Sequence, residues 1–354
     1  MSTLHENAIA PHGLIDSRGG VRVVEGEITD CVATRDSSRL AFSTVEGDII
    51  ILHREDVRSP ASWTSHAVHD GPALSLCADT LPDCLLSGGD DGRLCRLDPS
   101  GEIEELGKGR RWVEHVATYV DPKMALVASA SGKVVELRDA TGRTVTRSLE
   151  HPSTVGGMVF DPRGKRIAVS HYNGVSVWFT QSKDGSPRLL EWKGSHLGIA
   201  MHPQGDAVVT AMQDNDLHGW RLADGHNMRM SGYPTKVRSM AFTRDGKWLV
   251  TSGADVVVMW SFTGSGPMGK PPVELPGSGG ALCTRVACHP TQDVVAAGFA
   301  DGSVLMIDIE SRRVLPVSLN QGGAITALAY SPDGCLLGFG TEEGLIGAVT
   351  LASE

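Results

Sequence analysis

The sequence predicts an all-β fold: a single closed β-propeller of four-stranded blades, with eight blades favoured, seven as the alternative, and the ring closed by an N-terminal strand. Three observations carry this. A unit of short apolar strands separated by Pro/Asp/Gly turns recurs eight times. Markers in the turn after each first strand (Arg35, Asp79, Pro122, Pro162, Pro203, Arg244, Pro290 and Pro332) step by 44, 43, 40, 41, 41, 46 and 42 residues. A period of roughly 40–45 residues with about four strands per unit is the signature of propeller blades. Finally, an apolar strand at 20–25 precedes the first unit, and the last unit ends without a fourth strand of its own. Pairing the two removes an open edge that otherwise invites association.

Within each unit the strands follow a fixed grammar. First strands at 28–33, 155–160, 237–242 and 325–330 place large apolar residues toward the blade interior, with a bulge breaking strict alternation. Second strands (39–43, 166–170, 207–210, 248–251, 294–297) and third strands (48–52, 94–97, 134–137, 175–178, 216–220, 256–260, 304–307) are nearly continuous apolar runs. Such runs suit strands covered on both faces. Outer strands are the weakest, at 62–66, 143–149, 187–192 and 313–317. The 46-residue step comes from an insertion at 263–280, a long surface loop that is a candidate binding segment.

Composition sets the class. Apolar residues are 41% and charged residues 21%, which excludes a disordered chain. The domain reading is an N-terminal tail at 1–18 and one propeller at 19–354. The formal charge of −10 argues against nucleic acid, which needs a basic stripe. The short basic run Lys108, Arg110 and Arg111 reads as a solvated loop. No run of 18 apolar residues is present, so no membrane span is expected. Residues 1–13 lack the apolar core of a secretory signal. Seven cysteines, an odd number lying mostly in strand patterns, read as small core residues of a soluble protein in the reducing cytoplasm.

The pattern resembles the WD-repeat family of β-propellers along essentially the whole chain. Trp178, Trp220 and Trp260 occupy the family's Trp position, and His69, His151 and His196 sit near its His position. Unit five carries the fullest set, His196, Thr210, Asp214 and Trp220; unit four offers His151, Ser170, Asn173 and Trp178. The resemblance implies that these are structural hydrogen-bond relays, in which every polar member is satisfied. Elsewhere Arg96, Arg138, Asp308 or His53 replaces the Trp.

Candidate chemistry is sparse. Cys283, Cys288 and His289 cluster, and His202 and His289 share a turn position, but neither has the spacing of a structural metal site. No nucleophile elbow accompanies the His196 set. The expectation is therefore no enzyme, no cofactor and no bound metal. The second residue of each first strand is expected at the mouth of the central channel, a column of Thr29, His115, Gly156, Leu197, Arg238, Thr284 and Thr326. Arg238 and His115 stand out there, joined by Trp112, Tyr172, Tyr233 and Lys236 from neighbouring loops. Aromatic and Arg side chains are the types that dominate interfaces, and the resemblance implies partners docking on this rim. The leading reading is a non-enzymatic interaction scaffold or adaptor with protein partners. The alternative is a propeller that binds a metal or small ligand at the channel mouth, a metal-handling accessory or a hydrolase.

Overall fold

The computed structural model describes residues 13–182 and 185–351; the rest of the expected tail, residues 1–12, lies outside them. Apart from a five-residue helix at Leu14–Arg18 and two 3-10 turns, the described elements are antiparallel strands. The first sheet is Ile28–Ala33, Arg39–Thr44, Asp48–His53 and Thr64–Ala67, running from the central channel outward. The second runs from Ala73–Ala78 to Ile103–Lys108, and the third from His115–Asp121 to Val145–Glu150. Innermost strands touch one another in succession, and the last of them, Ile325–Tyr330, lies against the first, Ile28–Ala33.

The expectation of eight blades is corrected: the described strands form seven hydrogen-bonded sheets, six of four strands and one of six. Repeat units four and five share the six-stranded sheet. Its strand Arg188–Met201 serves as the outer strand of one unit and the inner strand of the next, passing through Gly194 at a φ of 118°. Its neighbour Arg166–Phe179 likewise runs through Asn173 and Gly174, both at positive φ. The physical cause is the short spacer before His196, which leaves no room for the loop that separates units elsewhere.

Strand Gly19–Val23 pairs antiparallel with Leu345–Thr350, Gly19 opposite Val349 and Val23 opposite Leu345. The helix before it buries Ile15 in a cluster with Val317, Phe339 and Val349.

Cores form between sheets, because each sheet presents two apolar faces. Phe42, Leu40 and Ile50 of the first sheet pack with Leu336, Ile346 and Ala348 of the seventh, all at most 1% exposed. Each large side chain so buried contributes about 1.5–3 kcal/mol. Close approach demands small residues: a Cβ at Gly340 would sit 2.4 Å from Ile28 Cγ2.

Polar side chains then clasp neighbouring sheets. Near the channel, Thr29 Oγ1 donates to the Ala73 carbonyl at 2.8 Å and Thr284 Oγ1 to the Ile325 carbonyl at 2.7 Å. At the opposite ends of the strands, His202 and His289 lie 2.9 and 3.1 Å, through Nε2, from the carbonyls of Gly246 and Gly334. The shared turn position of these histidines is therefore a latch between adjacent sheets.

Candidate binding face

One repeated hydrogen bond fixes which residues share a level around the channel. Leu76 N–H donates to Asp30 Oδ2 (3.3 Å), Val116 N–H to Ser75 Oγ (3.0 Å) and Val286 N–H to Ser239 Oγ (3.0 Å). Asp30, Ser75, His115, Ser239 and Arg285 are thus equivalent positions. This corrects the placement of His115, which sits one residue further along its strand than Arg238 does on its own; Glu114 takes the level of Arg238. His115 is half-buried, and burial lowers its pKa.

Sequence reasoning missed Asp30 and Arg285, the two charges in this row. Burial pushes the Asp30 carboxyl up to about 6, against hydrogen bonds from the backbone N–H groups of Cys31 and Leu76 and the nearby Arg285. Arg285 donates from Nε to the Thr326 carbonyl at 2.5 Å and from NH1 to the Thr284 carbonyl at 3.1 Å. Its pKa falls, chiefly through burial; Asp30 opposes that and the charge of Arg238 adds to it. Arg238 is exposed, and its guanidinium makes no hydrogen bond or ion pair among the described residues. The signal that could have found Arg285 is the third position of the first strand, where five of the repeats carry a polar residue.

Around this mouth, Trp112 is 58% and Tyr172 57% exposed, unusual for rings of that size. They lie close in the chain's geometry: Trp112 shares a shallow pocket with Thr154, and the adjacent Ser153 Oγ accepts from Tyr172 N–H at 2.8 Å. Lys236 is exposed. Tyr233 is not on the rim, which corrects that assignment. It is buried, its hydroxyl accepting from Trp260 Nε1 and sharing a hydrogen bond with Thr251 Oγ1, both at 2.6 Å. The hydroxyl takes the place a His ring fills in other units, so an aromatic in that slot closes a relay.

The relays themselves differ from the expected sets. In unit five, His196 Nδ1 lies 2.7 Å from Thr210 Oγ1 and its Nε2 2.9 Å from the Trp192 carbonyl. Asp214 is exposed and outside the relay, and Trp220, though buried, has no hydrogen-bond partner at Nε1. In unit four, Trp178 Nε1 donates to His151 Nε2 at 3.0 Å, and burial lowers that histidine to about 4. Ser170 instead donates to the carbonyls of Gly157 and Leu197. The fullest relay is in unit two, where His69 bridges Ser87 Oγ (2.9 Å) and Asp91 Oδ1 (3.0 Å). Asp91 also takes bonds from the backbone of Asp70 and Arg93 and the Arg93 guanidinium, which hold its carboxyl well below the usual range.

Among the described residues no group of three His, Cys, Asp or Glu side chains could hold a metal ion. Cys283 and Cys288 are core thiols whose pKa burial pushes up to about 12. The insertion at 263–280 supplies the outer strand Val273–Leu275 of its sheet, with Met268 44% exposed beside it.

Comparison with known proteins agrees with this architecture. A model of the anaphase-promoting complex subunit 4 WD40 domain matches residues 286–353, and the WD domain, G-beta repeat model matches residues 225–261. A serine-threonine kinase receptor-associated protein of Dictyostelium discoideum is 24% identical over 77% of this chain and 88% of its own length. Autophagy-related protein 16 of Arabidopsis thaliana is 22% identical over 78% of this chain, which spans about half (55%) of that relative. Echinoderm microtubule-associated protein-like 2 of Homo sapiens is 23% identical over 42% of this chain and 22% of its own length. The crystal structure of the computationally designed Ika8 protein superposes with a TM-score of 0.74 at 17% identity, covering 93% of this chain and 98% of that one, a likeness of fold alone. No described helix is long and apolar enough to cross a membrane. The two family models, these relatives and the ring of antiparallel sheets together support the WD-repeat β-propeller family for this chain.

Proposed function

We propose that this propeller is a non-enzymatic interaction scaffold of the cytoplasm, and that it binds a protein partner on the face where chain segments enter the innermost strands. The observation that carries the reading is Arg238, exposed and unpaired at the channel mouth next to the half-buried Arg285. A charged side chain held beside another cation without a carboxylate partner destabilises the free protein slightly and suits an acidic group brought by a partner. Trp112 and Tyr172 supply exposed aromatic area on the same face, and Lys236 adds charge. Two relatives are named as receptor-associated and microtubule-associated proteins, which agrees with a binding role. The free cysteines of the described chain suit a reducing compartment.

Affinity capture tests this with two variants. Arg238→Ala is expected to weaken retention of a partner by about thirtyfold, the scale of an interface centre. Arg163→Ala, in the exposed turn that follows an innermost strand and so at the opposite end of the sheets, is expected to change nothing. Equal loss from both, or from neither, removes the reason for choosing this face.

A further inference from the structure

The insertion at 263–280 contributes no residue to the set around Arg238, but it carves a groove of its own. It belongs to the fifth sheet, which runs from Met240–Phe242 to Val273–Leu275. Pro271 and Pro272 precede Val273–Leu275, the shortest outer strand among the described residues. Proline offers no N–H to a ladder. Pairing with the third strand, Val257–Ser261, accordingly stops at Met259 opposite Val273, and Trp260 lies beyond the end of the outer strand. The result is a groove of about 360 Å³ between this sheet and segment 231–234. Its apolar wall is Val256, Val258 and Trp260, with Tyr233, Pro234 and Pro272.

The charge in this wall is of one sign. Side chains alternate along a strand, and Glu274 lies opposite Val258, so it shares the face of Val258 and Trp260. Asp255 stands at the end of the same row, in the turn before the third strand. Gly277 seats the insertion against that turn: a Cβ there would sit 2.0 Å from the Asp255 carbonyl oxygen. Both carboxylates are exposed, and neither makes a hydrogen bond or ion pair among the described residues. Lys270, the insertion's only cation, is turned back on Thr263, donating to its carbonyl and, at 3.2 Å, to its Oγ1. Trp260 Nε1 donates to the Tyr233 hydroxyl at 2.6 Å, so the indole has no N–H left for a ligand.

We propose that this groove docks a basic side chain, Lys or Arg, carried on an extended apolar segment of a partner protein. Such a side chain has an apolar stem and a charged head. The stem suits Val258 and Trp260, and the head suits two carboxylates that have no cation of their own. The volume fits one long side chain with its immediate neighbours. An anionic ligand is opposed by the same two carboxylates. The inference rests on the reading of this protein as a binding scaffold but shares no residue with Arg238, Trp112, Tyr172 and Lys236.

The test is fluorescence anisotropy of the full chain with labelled nonapeptides, each with a central Lys or Arg flanked by Pro, Leu and Val in varied order. Peptides with norleucine or Glu at the centre, and free n-pentylamine as a competitor, form the other arms. Saturable binding of at least one Lys or Arg peptide is expected, with its norleucine and Glu counterparts weaker by about tenfold or more. The Asp255→Asn/Glu274→Gln double variant is expected to lose about tenfold in affinity. Glu102→Gln/Glu105→Gln removes the same charge from the outer strand of the second sheet and should change nothing, as should Arg238→Ala. The proposal is overturned if no Lys or Arg peptide binds saturably, if the norleucine or Glu peptide binds as tightly, or if the two double variants behave alike. Pentylamine matching the peptide's affinity overturns it in favour of a small-amine pocket. Loss of partner capture in Arg238→Ala with peptide binding intact, or the reverse, separates failure of one reading from failure of the other.

Discussion

At the scale of single residues, the polar groups between strands decide stability. Tyr233→Phe removes the hydroxyl that joins Trp260 Nε1 to Thr251, leaving a buried indole N–H without an acceptor. A loss of about 1–3 kcal/mol in urea unfolding is expected; an unchanged midpoint would mean that water replaces the hydroxyl. Two buried histidines give the chain an acid-sensitive stability. Burial lowers His151 and His218 to about 4 from an ordinary 6.5. Between those values the unfolded chain binds more protons than the folded one, so stability falls as pH drops from about 6.5 toward 4. Asp30, raised from 3.8 to about 6, acts with the opposite sign below pH 6, but one carboxyl does not offset two imidazoles. Urea midpoints measured from pH 7 to 4.5 should decline steadily; a flat profile would contradict the buried neutral state. The relay members His196, Thr210, His151 and Trp178 stood out in the sequence because residue type and spacing repeat. Tyr233 did not, since a Tyr near a loop reads equally well as an exposed aromatic, and only the strand register shows that its hydroxyl meets Trp260.

At the scale of elements, strand content was legible because apolar runs of four to six residues alternate with Pro/Asp/Gly turns, and the inner three strands of most units fall where the pattern puts them. The outer strands were less so. Ile103–Lys108 reads IEELGK, with only two separated large apolar residues, and Val273–Leu275 has three residues inside a Gly/Pro-rich segment; neither carries an apolar run of its own. The sheet count failed for a different reason: repeats count sequence units, whereas a sheet ends only where a loop interrupts hydrogen bonding, and none does before His196. Strand Gly19–Val23 hydrogen-bonds along Leu345–Thr350. Deleting residues 1–26 would expose that edge and strip Ile15 from its cluster, so marked destabilisation or aggregation is expected by light scattering and thermal melting. Deleting residues 1–12 should leave the melt nearly unchanged. Identical melting of the two truncations would remove the strand's assigned role.

At the scale of the whole molecule, the ring separates two sets of turns. Those following the innermost strands are occupied with clasping their neighbours: His202 to Gly246, His289 to Gly334, and Arg54 to Asp333 at 2.5 Å. The opposite set leaves Arg238, Lys236, Trp112 and Tyr172 without such duties. This asymmetry was only partly readable from sequence. The exposed aromatics and Arg238 could be picked by residue type, but Asp30 and Arg285 became visible only when the inter-sheet hydrogen bonds aligned the first strands. The most direct test of a partner-binding face is hydrogen–deuterium exchange of the full chain, free and in complex with a partner recovered by affinity capture. The account predicts slowed exchange in segments spanning 110–115, 170–174 and 235–239, with 162–165, 202–206 and 331–335 unchanged. Protection confined to the latter three segments would contradict it.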